Sequence, residues 1–152
     1  MTIFCDTNIV LEFLQERKLV DEVRRIIAHA ISNGDDLFIS FGSVYTITYL
    51  TEIYLKEDKT LDKAGRIARL RYILNGVLGT FKLAEQHSQS MYDGVNDALF
   101  DDMEDSYQAH VAEGLGCDVL LTINDKHFSR YAANAPLAVV TPVSFIDMYF
   151  TT

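Results

Sequence analysis

The chain has 152 residues, 49% of them hydrophobic and 23% charged, the size and make-up of one globular domain with its own core. That excludes disorder, collagen-like repeats and coiled coil, and the apolar runs fall far short of the ~18 residues a membrane span needs. Thirteen Lys and Arg stand against 22 Asp and Glu, a formal net charge of -9, which on its face disfavours a phosphate-rich partner.

Short apolar runs alternate with helical periodicity along the chain. Residues 2–5 read as a buried strand, and Asn8 as the cap of a helix through Glu16. Val20, Val23, Ile26, Ile27 and Ala30 recur at helical steps until Ser32-Asn33-Gly34-Asp35 stops them. A second strand is expected at 37–40, then a helix over 42–56. Thr60 is the expected cap of a helix carrying Leu61, Ala64, Ile67, Leu70 and Leu74. A short strand at 80–83 and a helix over 85–99 follow. Asp101 or Asp102 opens a helix running to Glu113, ended by Gly114 and Gly116. Strands at 118–122 and 137–140 and a helix opened by Pro142 complete the pattern. The alternation predicts a single α/β domain over 1–152, with a short parallel sheet covered by helices on both faces.

The charge is unevenly spread. Between Leu83 and Asp125 stand ten acids and no Lys or Arg, whereas the rest of the chain is close to balance. Functional groups of open parallel sheets collect beyond the carboxyl ends of the strands. Three polar features are predicted at or beside such places: Asp6-Thr7-Asn8, the Asp101-to-Asp105 cluster, and Thr122-Ile123-Asn124-Asp125. Clustered carboxylates repel one another, and a hard divalent cation such as Mg²⁺ or Mn²⁺ removes that repulsion. With the ion, an acidic protein can act on an acidic polymer. Each feature alone also fits capping or turn formation.

Ile3-Phe4-Cys5-Asp6-Thr7-Asn8 resembles the opening strand and Asp-Thr-Asn signature of PIN domains. Met103-Glu104-Asp105-Ser106-Tyr107 is similar to the Phe-Glu-Asp segment that opens a late helix of that family. Cys117 to Asn124 resembles its strand ending in Thr-Arg-Asn, and Val139-Val140-Thr141-Pro142 its closing segment. The resemblance implies a three-layer α/β/α fold and a ribonuclease using Mg²⁺ or Mn²⁺, most often a VapC-like toxin held by an antitoxin. Carried over by position, Asp6 and Asp105 bind metal, Asn8 supports the site, and Glu104 and Asp102 are further acids. Thr46 stands where the family commonly has Glu, Asn124 where many members have Asp, and His127 where another Asp is common. Asn124 offers a carbonyl oxygen without charge. An inactive PIN-like module binding RNA or protein is therefore the alternative function.

Lys59, Lys63 and Arg66 are expected on one helical face, where Lys63 and Arg66 could guide RNA phosphates. Phe41, Tyr45, Tyr49 and Tyr54 on the 42–56 helix fit either the core or a symmetric partner, and the resemblance favours a homodimer. The four histidines share no ligand spacing, and His127 reads as a surface or loop residue. An aspartyl-phosphate enzyme built on Asp6 would want a second acid, which Asn8 does not supply. Met1 to Asp6 does not read as a secretion signal, and Cys5 and Cys117 read as buried thiols, so a reducing cytoplasm is the expected setting.

Overall fold

The computed structural model describes residues 1–150. Strands β1 (Thr2–Cys5), β2 (Asp36–Ile39), β3 (Lys82–Leu83), β4 (Val119–Leu121) and β5 (Ala138–Val140) form one parallel sheet. Their order is β3-β2-β1-β4-β5. Helices α1 (Thr7–Leu14), α2 (Val20–Asn33), α3 (Phe41–Lys56), α4 (Lys63–Thr80), α5 (Ser88–Val95), α6 (Met103–Leu115), α7 (Ser129–Ala132) and α8 (Pro142–Tyr149) connect and cover it. The chain leaves β1 toward one edge and returns to build the other, so a crevice opens beyond the ends of β1 and β4.

Period-two alternation in the strands divides the core into two layers. Ile3, Cys5, Ile39 and Leu121 pack with Ile9 of α1, Ile26 of α2, Ile47 of α3 and Phe145 of α8. Phe4 and Leu120 face the opposite way, against Ala109 and Ala112 of α6, Phe128 and Tyr131. Each fully buried Phe, Ile or Leu of this kind contributes about 1.5–3 kcal/mol. This is the expected α/β architecture with helices on both faces of a parallel sheet.

Several boundaries differ from the sequence expectation. The cap of α1 is Asp6 and not Asn8, because Asp6 keeps extended backbone at the end of β1 and its side chain accepts the Thr7 N–H. Helix α4 is capped by Asp62, whose carboxylate accepts the Gly65 N–H. Thr60 is instead held by Asp58, which accepts both its N–H and its hydroxyl. Lys59 consequently precedes α4 and does not share a helical face with Lys63 and Arg66. Helix α5 is shorter than the 85–99 expected, since Asn96 ends it and the Asp97 side chain accepts the Leu99 N–H in a tight turn. Residues 125–128 form a 3₁₀ turn leading into α7, which the sequence pattern did not indicate.

The ten-acid segment does not stay together. Asp118 accepts the Thr2 N–H at the start of β1, the opposite end of the sheet from Asp6. Glu113 accepts the Tyr131 hydroxyl, Asp97 pairs with His110, and exposed Asp101 pairs with Arg130. Of the ten, Asp102, Glu104 and Asp105 line the cleft beside Asp6.

Candidate active site

Strand register builds the centre of the site. Cys5 pairs with Leu121, so the next residues, Asp6 and Thr122, come level as the chain leaves the sheet. The Asp6 N–H donates to the Leu121 carbonyl, and the Thr122 hydroxyl donates to Asp6 Oδ2 at 2.8 Å. Asp6 Oδ1 accepts the Thr7 N–H, also at 2.8 Å. The carboxylate is thus held at both oxygens and is only 2% exposed.

Helix α6 brings the other acids. Asp102 caps it by accepting the Asp105 N–H at 3.0 Å, which turns Glu104 and Asp105 toward α1. Asp105 Oδ2 lies 3.0 Å from His127 Nδ1, so His127, expected to be a surface or loop residue, restrains an acid of the site. A cleft of about 200 Å³ is lined by Asp6, Thr7, Asn8 and Leu11, by Thr46 and Leu50 of α3, by Asp102, Glu104 and Asp105, and by Asn124 and His127. The acids and amides that the resemblance assigned to the site, Asp6, Asn8, Asp102, Glu104, Asp105 and Asn124, meet there with Thr46; Asp101 and Asp125 do not line it. Lys63 and Arg66 do not; they line a separate cavity of about 210 Å³ with Glu52 and Lys56.

Behind the cleft runs a buried polar network that the sequence reading did not single out. Gln108 Nε2 donates to Thr7 Oγ1 at 2.9 Å and to Ser43 Oγ at 2.7 Å. Ser43 also contacts Thr7 and Ser40, and the Thr7 hydroxyl donates to Glu104 Oε1 at 3.2 Å. The signal for Gln108 was present in its spacing, three residues after Asp105 and four after Glu104, on the same helical face. Thr122 was named with the polar run that follows its strand, but its bond to Asp6 is set by strand register; Ser43 had no such signal, because helix packing brings it in.

Burial, with the neighbouring Asp105 and Glu104 charges, pushes the Asp6 carboxyl up to about 6 despite the hydrogen bonds from Thr122 and Thr7. Asp105 is also raised, by burial and then by Asp102, against the lowering influence of His127. These carboxylates sit closer to one another than their charge favours. A hard cation fits that donor set: Asp6 retains a lone pair on each oxygen, and Asp105 Oδ1 has no hydrogen-bond partner among the described residues. Among the described residues, no three His, Cys, Asp or Glu side chains are grouped tightly enough to cage an ion. The set suits an ion that keeps waters beside one or two carboxylates, as Mg²⁺ does. It does not suit a closed zinc site.

Fold and cleft together define a doubly wound α/β protein with a carboxylate site at its topological switch point. The chain belongs to the PIN-domain family, whose model matches residues 3–134. Among solved structures, it is similar to VapBC2 from Rickettsia felis bound to a DNA fragment from their promoter, at TM-score 0.67 and 16% identity, covering 93% of this chain and 98% of that one. It is also similar to VapBC-1 from nontypeable Haemophilus influenzae, at TM-score 0.63 and 20% identity, covering 94% and 99%. FitAcB from Neisseria gonorrhoeae matches at TM-score 0.65 and 17% identity, covering 93% and 98%. At these identities the likeness is one of fold. No curated protein sequence matches the chain.

Proposed function

We propose that the chain is a metal-dependent endoribonuclease and the toxin component of a toxin–antitoxin pair. The observation that carries this is the meeting of Asp6, Glu104 and Asp105 in one cleft, with the carboxyl groups of Asp6 and Asp105 raised by burial and mutual repulsion. In this reading Asp6 and Asp105 hold Mg²⁺ or Mn²⁺, with Asn124 and Asp102 beside them. When bound, the ion supplies positive charge for a phosphodiester oxygen and acidifies water. Thr122 and the Thr7 N–H fix the Asp6 carboxylate, and His127 fixes Asp105. Glu104 is steadied by Thr7 through Oε1, which leaves Oε2 to orient the attacking water and take its proton.

A protein partner is supported by the opposite side of α1. Cavities of about 840 and 520 Å³ adjoin there and share Phe13, Leu14 and Ile73; the smaller is mainly apolar, and the larger adds the charged residues Glu16, Arg24, Glu57, Asp58 and Arg69. A surface of this kind suits an amphipathic segment of an antitoxin. The neighbours in the fold were themselves solved as VapBC and FitAB assemblies. Phe41, Tyr45, Tyr49 and Ile53 are exposed along α3, which supports a homodimer. Lys56, Lys63 and Arg66 share their cavity with one acid, Glu52, which supports a phosphate-guiding role for Lys63 and Arg66.

The second reading, a non-catalytic RNA- or protein-binding module, is favoured by the uncharged Thr46 and Asn124 in the cleft. One assay separates the two: purified protein, RNA, and Mg²⁺ or Mn²⁺, with Asp6→Asn alongside. Cleavage that falls at least about a hundred-fold in the variant supports the nuclease, since losing the ion removes several kcal/mol of transition-state stabilisation. Cleavage that survives Asp6→Asn refutes the metal assignment, and no cleavage with either ion favours the module.

A further inference from the structure

Beside the acidic cleft lies a second groove of about 270 Å³, and the two share Thr46 and Glu104 as a common wall. Glu104 is the single charged residue of its lining, which otherwise presents neutral groups such as Ser40, Gln86, Met91 and Tyr107. Its two sides are held in place by close packing of α5 on α6. The Ser106 hydroxyl donates to the Gly94 carbonyl at 2.7 Å, and a Cβ at Gly94 would come 2.9 Å from the Tyr107 ring.

Gln86 is oriented by its own hydrogen bond. The Phe41 N–H at the start of α3 donates to Gln86 Oε1 at 2.9 Å, so the carbonyl faces α3 and the NH₂ faces away. The sole partner of that NH₂ among the described residues is the Met91 sulfur at 3.7 Å, a weak acceptor. An amide donor with only a weak partner therefore stands beside an exposed, polarizable thioether in a groove that is neutral apart from Glu104.

We propose that this groove binds the nucleobase next to the scissile phosphate, with the Gln86 amide donating to an acceptor on the base edge; this rests on the ribonuclease reading of the neighbouring cleft. A phosphate group does not suit the groove, which offers no cation and carries the Glu104 carboxylate. A base suits it, because bases combine apolar faces with acceptor edges and single-stranded RNA splays them outward.

The test sequences the cut ends of a randomised RNA pool after digestion by the full chain, Gln86→Ala, Gln86→Glu and Met91→Ala, with melting curves confirming the fold. Gln86→Glu keeps an acceptor for the Phe41 N–H and removes the two side-chain donors, so it separates base reading from support of α3. The expected result is a base preference at one position flanking the cut. Both Gln86 variants should weaken it by about two- to ten-fold, the worth of one neutral hydrogen bond. An absent wild-type preference, or the same preference in all variants, overturns the proposal. If the wild type cuts no RNA with Mg²⁺ or Mn²⁺, the ribonuclease reading fails separately, and NMR titration with the four 5′-mononucleotides decides the subsite. A shift of the Gln86 side-chain NH₂ signals on titration then keeps it, and no shift with any nucleotide overturns it.

Discussion

Helix α1 serves two regions of opposite character. Its first turn, Asp6 to Asn8, faces the acidic cleft, while Phe13 and Leu14 near its end line the apolar groove against α4. In the cleft the carboxylate of Asp6 is buried, bonded at both oxygens and crowded by like charge. In the groove large side chains stand in water, Tyr72 74% exposed and Phe13 39%, with the Arg69 and Arg24 guanidinium groups over their rings. The cleft holds unfavourable charge that a cation relieves, and the groove holds unfavourable hydration that an apolar segment relieves. Neither region is explained by the stability of the chain alone.

The sharpest way to break that contrast is Asp6→Asn. A carboxyl raised from 3.8 to about 6 is neutral in both folded and unfolded chains below the first value, so burial then carries no charge penalty. As pH rises between the two values the unfolded chain ionises first, and folding stability from this group falls; above about 6 the full penalty, about 3 kcal/mol, is present. The metal-free variant should therefore be more stable than the wild type at neutral pH. The gap should close as pH falls toward 4, as read by denaturant unfolding across that range. Excess Mg²⁺ should raise the wild-type melting temperature and leave the variant unmoved. A wild type more stable than Asp6→Asn at neutral pH without metal would contradict the electrostatic account.

A smaller effect is expected where packing alone fixes the cleft's surroundings. Gly94→Ala pushes a methyl against the Tyr107 ring, and the strain exceeds the gain in helix propensity. A net loss of about 1 kcal/mol or more in chemical denaturation is the expected outcome. The smallest effect belongs to the groove. Tyr72→Asp should change stability by no more than about 1 kcal/mol and leave RNA cleavage unchanged. It should nonetheless abolish co-purification of a protein partner encoded beside this chain.

Much of the fold was legible because burial periodicity survives without tertiary context. The strands at Thr2–Cys5 and Val119–Leu121 and the helix ended by left-handed Gly116 all follow from apolar spacing and local backbone chemistry. Caps were less legible where two candidates competed. Asp58 captures Thr60 and leaves Asp62 to start α4, a choice made by hydrogen-bond geometry over a few residues. Asp6 and Asp105 were named from motif order, yet nothing in sequence spacing joins them. His127 is exposed, as its sequence setting suggested; what the sequence did not show is its contact with Asp105, 22 positions away, which forms only after β4 turns back past α6.

The sequence by itself determined the layers, the acids available for chemistry and the family they resemble, because side-chain polarity and helical or strand periodicity are local properties. Tertiary structure decided which acids act together. Sheet register set Thr122 against Asp6, α6 brought Asp105 and Glu104 to the same cleft, and Asp118 and Asp101 of the same acidic run were carried elsewhere. Electrostatic coupling depends on distance and burial, and neither can be read from position along the chain.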